Sequence, residues 1–296
     1  MSQIEKQKDI SPDSPAPTAE SALSDIHAGT RGQSAHTLSG KGVGIDLDSP
    51  IGTDIMEITD PNSQEFEDAY RVLAEYFPAG EMVPKEGFQS LIGTPENIQP
   101  CRYHFIAARG PDGTIQGCAS FFYLHDSNAG FIGYVRVRKN EGTQIIGNDL
   151  MRKIAQILAR DAAECHKDKP TGCFGEVEQL RMDTEDARKR MLLWERKGAR
   201  LLDAPFSYPP IAEGQPPLPM HLIYYPANSA APIDFSKDQI KCVAGEIYRA
   251  IYQQGDSPHL QKVLDAIGAL PNERIGALEL PLRRKERGRT ANKENK

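Results

Sequence analysis

Between Tyr103 and Leu158 the chain reads as three strands in a row followed by one long helix, and few folds accommodate that succession. Tyr103–Arg109, Ile115–Leu124 and Gly130–Arg138 are runs of aromatic, β-branched and small residues of the kind that favour a pleated surface. Gly110-Pro-Asp-Gly113 joins the first two, and His125-Asp-Ser-Asn128-Ala joins the second pair. Both connections are built from turn-forming residues. Strands linked this tightly lie side by side, so an antiparallel meander is expected. After the polar stretch Lys139–Gly147, the residues Leu150, Ile154, Ile157 and Leu158 recur at helical spacing, which predicts an amphipathic helix running to about His166.

The flanking segments extend the pattern. Upstream, Asp54–Thr59 alternates like a strand, and Asp60 or Ser63 can cap a helix whose apolar positions are Phe66, Tyr70, Leu73, Ala74 and Phe77. Pro78-Ala-Gly interrupts it, and Lys85–Ile92 reads as a second, shorter helix. Downstream, a strand over Cys173–Glu178, a helix over Thr184–Lys197 and strands over Arg200–Pro205 and His221–Tyr225 are expected. The order is β-α-α-β-β-β-α-β-α-β-β, an α/β (α+β) protein with a mixed, mostly antiparallel sheet flanked by helices.

Residues 51–227 form this unit. Residues 233–272 read as a C-terminal helical extension: Ile240, Val243, Ala244, Ile247, Tyr248 and Ile251 make one apolar stripe, and Leu260, Val263, Leu264 and Ile267 make another. Such stripes need a cover, either their own domain or a second copy in a homodimer, and docking on their own domain is the expectation. Residues 1–50, rich in Ser, Pro, Gly and Asp, are expected to be disordered, because they cannot bury enough apolar surface to offset the entropy of ordering. Residues 273–296 are expected to be a disordered charged tail. From Arg283 it carries seven basic and two acidic residues, enough for weak, salt-dependent attraction at most.

Composition removes several function classes. A formal net charge of −6 argues against nucleic-acid binding. No apolar run approaches the ~20 residues that cross a bilayer, and the opening MSQIEKQKDI lacks the apolar core of a secretory signal, so a cytoplasmic location is expected. The five cysteines, Cys101, Cys118, Cys165, Cys173 and Cys242, show no CxxC spacing, and the seven histidines show no metal-ligand spacing. Neither disulfides nor a metal is expected. Nucleophile-elbow, Walker and HExxH motifs are absent from the sequence.

Three segments within this element order resemble the GNAT superfamily of acyl-CoA-dependent N-acyltransferases. Tyr134-Val-Arg-Val-Arg-Lys-Asn-Glu-Gly-Thr-Gln-Ile-Ile-Gly-Asn-Asp-Leu150 sits where that family carries its Q/R-x-x-G-x-G/A pyrophosphate loop. Phe174-Gly-Glu-Val-Glu178 is similar to the fifth strand of some bacterial members. Ala187-Arg-Lys-Arg-Met-Leu-Leu-Trp-Glu-Arg-Lys-Gly-Ala-Arg-Leu201 is similar to the family's A-x-x-x-Y-x-x-x-G-F/A helix and turn. The chain departs from the pattern at three points. The leading Arg/Gln falls on Gly142, the first glycine on Ile145, and the tyrosine on Trp194, while Gly147 keeps the last glycine.

The resemblance implies a cleft between the fourth and fifth strands that takes acetyl-CoA, or another acyl-CoA, and an amine acceptor, with no metal. Backbone of Tyr134, Val135, Arg136 and Val137 would hold the pantetheine arm. Arg138, Gly142, Thr143, Gln144, Ile145, Gly147 and Asn148 would form the pyrophosphate loop, where N–H groups at a helix N-terminus bind phosphate without needing particular side chains. Trp194 would border the cofactor or simply fill core. Glu176 and Glu178, two apart and so on one face of a strand, are candidate bases, although both can instead be solvated or paired with Arg181 or Arg188. Tyr134 or Tyr208 is the candidate acid. The alternative to an enzyme is a degenerate member kept as a binding or regulatory module.

Overall fold

The computed structural model describes residues 49–77, 82–94, 98–139, 142–178, 194–195, 197–210, 214–227, 231–232 and 234–278. The disorder expected for residues 1–48, for 279–296 and most of the helix expected over Thr184–Lys197 fall outside these.

A single sheet organises the described residues. Its strands are β1 (Asp54–Glu57), β2 (Arg102–Arg109), β3 (Ile115–Leu124), β4 (Ala129–Val137), β5 (Gly172–Glu178), β6 (Arg200–Leu202), β7 (Phe206–Tyr208), β8 (Leu218–Pro226), β9 (Asp234–Ser236) and β10 (Arg274–Leu278). They lie in the order β1-β2-β3-β4-β5-β8-β6-β10-β9, with β7 also on β8. The β2–β3–β4 meander forms as its turn residues require, Gly113 adopting φ 82. All pairs are antiparallel except β4–β5, which must be bridged by a crossover.

That crossover is α3 (Thr143–Glu164), which lays Leu150, Ile154, Ile157 and Leu158 against Ile106, Ala119, Phe121 and Ile223 on one face of the sheet. Burying each such side chain contributes about 1.5–3 kcal/mol. On the opposite face, α1 (Gln64–Ala74) and α2 (Lys85–Gly93) cover the β2–β4 half. Ser63 caps α1, its Oγ accepting from the Phe66 N–H at 3.2 Å. Asp149 ties the start of the chain's core to α3: its Oδ2 accepts from the Gly52 and Thr53 N–H groups at 3.1 and 2.9 Å and from Thr53 Oγ1 at 2.7 Å.

The β5–β8 half of that second face is covered by α4 (Lys237–Glu246), its π-helical continuation Ile247–Ile251, and α5 (Pro258–Gly268). Ile240, Val243, Ile247, Tyr248, Leu260, Val263 and Ile267 are all buried there with Phe174, Leu222 and Tyr224. The apolar stripes are thus spent within the chain, and the homodimer alternative loses the surface it was based on. The structure also corrects the segment's description as helices followed by a tail. It begins and ends in strands, β9 and β10, and β10 pairs with β6 through Ala277↔Leu202 and Leu278↔Leu201. β7, β9 and β10 are three residues, three residues and five residues long, too short to show a period of two.

Candidate active site

The parallel β4–β5 pairing lasts three residues, Gly130↔Cys173, Phe131↔Phe174 and Ile132↔Gly175. It begins at a close approach: a Cβ on Gly130 would lie 2.5 Å from Leu158 Cδ1 and 2.8 Å from Cys173 Sγ. It ends at a β-bulge. Against β3 the register runs Phe121↔Ile132 and then Ser120↔Tyr134, leaving Gly133 as the extra residue. A bulge bends its strand, and from here β4 follows β3 while β5 follows β8 through Glu176↔Leu222, Val177↔His221 and Glu178↔Met220. The two strands part like a V. Among the described residues no ladder joins their facing edges beyond this point, and an extended ligand can pair with such an edge.

Glu176 is the first β5 residue past the parting. Its side chain lies on the face covered by α4, and Tyr252, just beyond the π-helical turn, donates its phenol hydrogen to Glu176 Oε2. Burial raises the carboxyl from 4.5 to about 7, against the lowering effect of the Tyr252 hydrogen bond. Burial, together with the Glu176 charge, also pushes the Tyr252 and Tyr208 phenols up. The Tyr208 and Tyr252 rings are 4.6 Å apart and the Tyr248 and Tyr252 rings 5.1 Å. Glu178 lies two residues further on the same strand.

Tyr134 projects from β4 toward α1 and α2, its ring 5.3 Å from Phe77 and 5.6 Å from Phe88. Its oxygen accepts from the Val83 N–H at 3.2 Å, and burial pushes the phenol up to about 12. It therefore keeps its proton at neutral pH.

The rest of β4 runs from the parting toward the N-terminus of α3. Val135 and Val137 pack on the α3 side. Arg136 lies over the Tyr76 ring, 4.0 Å from its centroid. Arg138 is held by Glu75, Nε to Oε2 at 2.9 Å, and by the Ile115 carbonyl at 2.8 Å. Thr143 Oγ1 donates to the Arg138 carbonyl at 2.9 Å, and Gly142, the N-cap of α3, has no side chain to cap it. The first turn contains no acidic residue, and Gln144 and Ile145 are exposed, Ile145 at 64%.

Gly147 and Asn148 border a cation that sequence reasoning missed. Lys197 donates to Asn148 Oδ1, and a Cβ on Gly147 would lie 3.5 Å from Lys197 Nζ. Burial, then the Arg152 charge, lowers the Lys197 ammonium. Lys197 thus adds an ammonium beside the second turn of α3, whose first-turn N–H groups and positive dipole end are of the kind that suits a pyrophosphate. The motif around Gly198 was visible in the sequence, but only the helix end brings Lys197 to α3. Gly198 turns the chain at φ 90, and Ala199 donates to the Trp194 carbonyl at 3.0 Å.

Trp194 is half-buried and packs against the α3-side core, on the opposite face of the sheet from Glu176. The proposed partners Arg181 and Arg188 lie outside the described residues, as does the side chain of Glu178.

Among solved structures, the chain is similar to a protein of Bacteroides thetaiotaomicron assigned as a GNAT-family acetyltransferase, at 17% identity over 69% of this chain and 99% of that one, with a TM-score of 0.46. It is similar to a GNAT-family acetyltransferase of Staphylococcus aureus at 15% identity, covering 60% and 99% of the two chains, with a TM-score of 0.39. A third is a Salmonella typhimurium protein assigned as an acetyltransferase and solved with acetyl-CoA, at 14% identity, 61% and 96% coverage and a TM-score of 0.37. A scan of protein-family models and a search of curated proteins return no match. At these identities and scores the functional reading rests on the chain's own topology and site.

Proposed function

We propose that this chain is an acyl-CoA-dependent N-acyltransferase that moves an acetyl or other short acyl group to a primary amine by direct attack. The observation that supports it most is Glu176: a carboxyl held near 7 by burial, one residue past the point where β4 and β5 part. A base of that pKa is matched to deprotonating an ammonium at neutral pH. Bound acyl-CoA would supply the activated thioester.

The chain's residues divide the remaining work. First-turn N–H groups of α3 from Gly142 to Ile145, with Lys197 beside Gly147, would bind the pyrophosphate. The edge of β4 that faces away from β3, Gly133 to Val137, would bind and orient the pantetheine arm, and a backbone N–H there would polarise the acyl carbonyl. Glu176 would take the amine's proton. Tyr134, protonated at neutral pH, would donate to the departing sulfur. A thiol of pKa ~8.5 leaves tolerably well even without one. We place the catalytic domain at 51–227, with 233–272 as an extension on it, in a protein of the cytoplasm.

A second reading, a binding module that has lost catalysis, is favoured by one observation: Ile145, where the family pattern has glycine, stands exposed on the first turn of α3. Thermal unfolding tests the first reading. Any ligand of the native state must stabilise it, by about 2.7 kcal/mol at a hundredfold excess over Kd. Millimolar acetyl-CoA should raise Tm, and Glu176→Gln should keep that shift while losing acyl transfer to an amine panel. A raised Tm with no transfer by the wild type favours the module. No shift in Tm removes the enzyme reading and leaves a module that binds something other than acyl-CoA.

A further inference from the structure

We propose that Tyr252, carried at the end of the π-helical turn, is the positioning residue for Glu176, so that the C-terminal extension completes the amine side of the site. The inference rests on the acyltransferase reading above and adds a residue outside the segments that carry the family resemblance.

Tyr252 follows Tyr248 by four residues, so the two side chains lie on one side of the helical segment that carries them. Here the Tyr252 N–H reaches back five residues to the Ile247 carbonyl, at 3.1 Å. The Tyr248 and Tyr252 rings are 5.1 Å apart, and the π turn ends at the residue whose phenol meets Glu176. A π turn gives up regular hydrogen bonding, and single turns of this kind are frequent at functional sites.

The turn is held from several directions. Tyr248 Oη donates to the Ser207 carbonyl at 2.6 Å, fixing it to β7, and the Tyr208 ring packs on Tyr252 from the same strand. At its other end Glu246, 1% exposed, accepts from the Asp126 and Ser127 N–H groups at 2.7 and 2.8 Å, fixing α4 to the β3–β4 hairpin. Residues from β3–β4, β7 and β5 thus position one phenol.

The consequence is a division between the two carboxylate oxygens. Tyr252 takes Oε2. Oε1 has no hydrogen bond among the described residues and is the oxygen that accepts the amine's proton. Besides Tyr252, the titratable groups on which the Glu176 charge acts are phenols: Tyr134 of β4, Tyr208 of β7 and Tyr248 of the π turn. His221 sits on the neighbouring strand opposite Val177 and points to the other face. Among the described residues Tyr252 is the side chain that hydrogen-bonds the carboxylate, and no cation there pairs with it.

The test follows Glu176 directly. The full-length protein, with ¹³C-labelled glutamate carboxyls, is titrated by NMR as wild type, Tyr252→Phe and Tyr248→Phe, with Glu176→Gln to assign the signal. Loss of a hydrogen bond to a charged group should raise the Glu176 midpoint in Tyr252→Phe by roughly one pH unit. Tyr248→Phe, which loosens the same turn without touching the carboxylate, should leave it in place. The acid limb of the rate profile should move with the NMR midpoint. Coincident wild-type and Tyr252→Phe curves overturn the proposal, and so does an equal shift in Tyr248→Phe. Acetyl-CoA binding is measured on the same samples. Its absence would sink the acyltransferase reading, and with it the catalytic meaning of the contact, whereas coincident curves with intact binding would sink the role of Tyr252 alone.

Discussion

The carboxylate of Glu57 on β1 meets Nδ1 of His104 on β2 at 2.6 Å, and the other ring nitrogen of His104 meets Asp161 of α3 at 2.7 Å. The imidazole is 6% exposed and stacks on Phe121 at 5.1 Å, while Arg160 reaches Glu57 at 3.1 Å. Burial alone would discharge His104, but the bonds to Asp161 and Glu57 outweigh it and raise its pKa. The His104 hydrogen bond, with Arg160, lowers Glu57 to about 2. This network bolts the edge of the sheet to α3, away from the parting of β4 and β5.

Its signature lies in acid. Because Glu57 falls from 4.5 to about 2 on folding, its contribution is present above 4.5 and lost as pH falls through about 2. Glu57→Gln should lower stability near neutral pH by about 1–3 kcal/mol, with the gap to wild type closing toward pH 2. Urea unfolding at stepped pH reads this. An unchanged gap at low pH would mean the loss is packing, not charge. His104, raised, adds stability that is complete below 6.5 and fades as pH rises through its folded value.

Glu176 has the same sign as His104 for a different reason. Its ionised form is disfavoured in the fold, so its contribution is full below 4.5 and declines as pH rises through about 7. Glu176→Gln should therefore be more stable than wild type at pH 8 by about 1–3 kcal/mol and no more stable at pH 4. A variant less stable at both values would assign Glu176 a structural role. In activity, the same substitution should lower kcat by ~10²–10⁴-fold.

Gly130→Ala tests the close approach that precedes the parting. The new methyl would meet Leu158 Cδ1 at 2.5 Å and Cys173 Sγ at 2.8 Å. Both are movable side-chain atoms, so the variant should fold with a loss of about 1–3 kcal/mol. Denaturant midpoints check it, and a neutral result would show that β4 and β5 have room to slide.

The extension should be inseparable from the rest. Ending the chain at 232 would strip the cover from Phe174, Leu222 and Tyr224 and leave β6 without β10. We expect such a chain to aggregate or lose cooperative unfolding. A well-behaved monomer by sedimentation, with a sharp thermal transition, would contradict that.

Much of this architecture was legible because its signals are local. Turn residues at Gly110–Gly113 and Asn128, the Ser63 cap and the α3 stripe each point to one element, and β3 begins and ends where its pattern does. Glu176 was legible as half of an i, i+2 pair, and Gly198 as a helix end. Lys197 and Tyr252 were not, because each meets its partner only through tertiary packing: Lys197 against Asn148 of α3, and Tyr252 against Glu176 of β5. The C-terminal strands were hidden for a related reason, since β9 and β10 gain their identity from pairing with each other and with β6.

Calorimetric titration of acetyl-CoA into the full-length protein tests the proposed acyl-CoA site between the β4 edge and the first turn of α3. Gly147→Ala, whose methyl would sit in ordinary contact with Lys197 and Val137, serves as the control, and Gly147→Trp fills the space over that turn. We expect binding in the roughly micromolar to millimolar range usual for enzyme substrates, kept in the alanine variant and abolished in the tryptophan variant. No binding to wild type at millimolar acetyl-CoA, or equal binding to both variants, would contradict it.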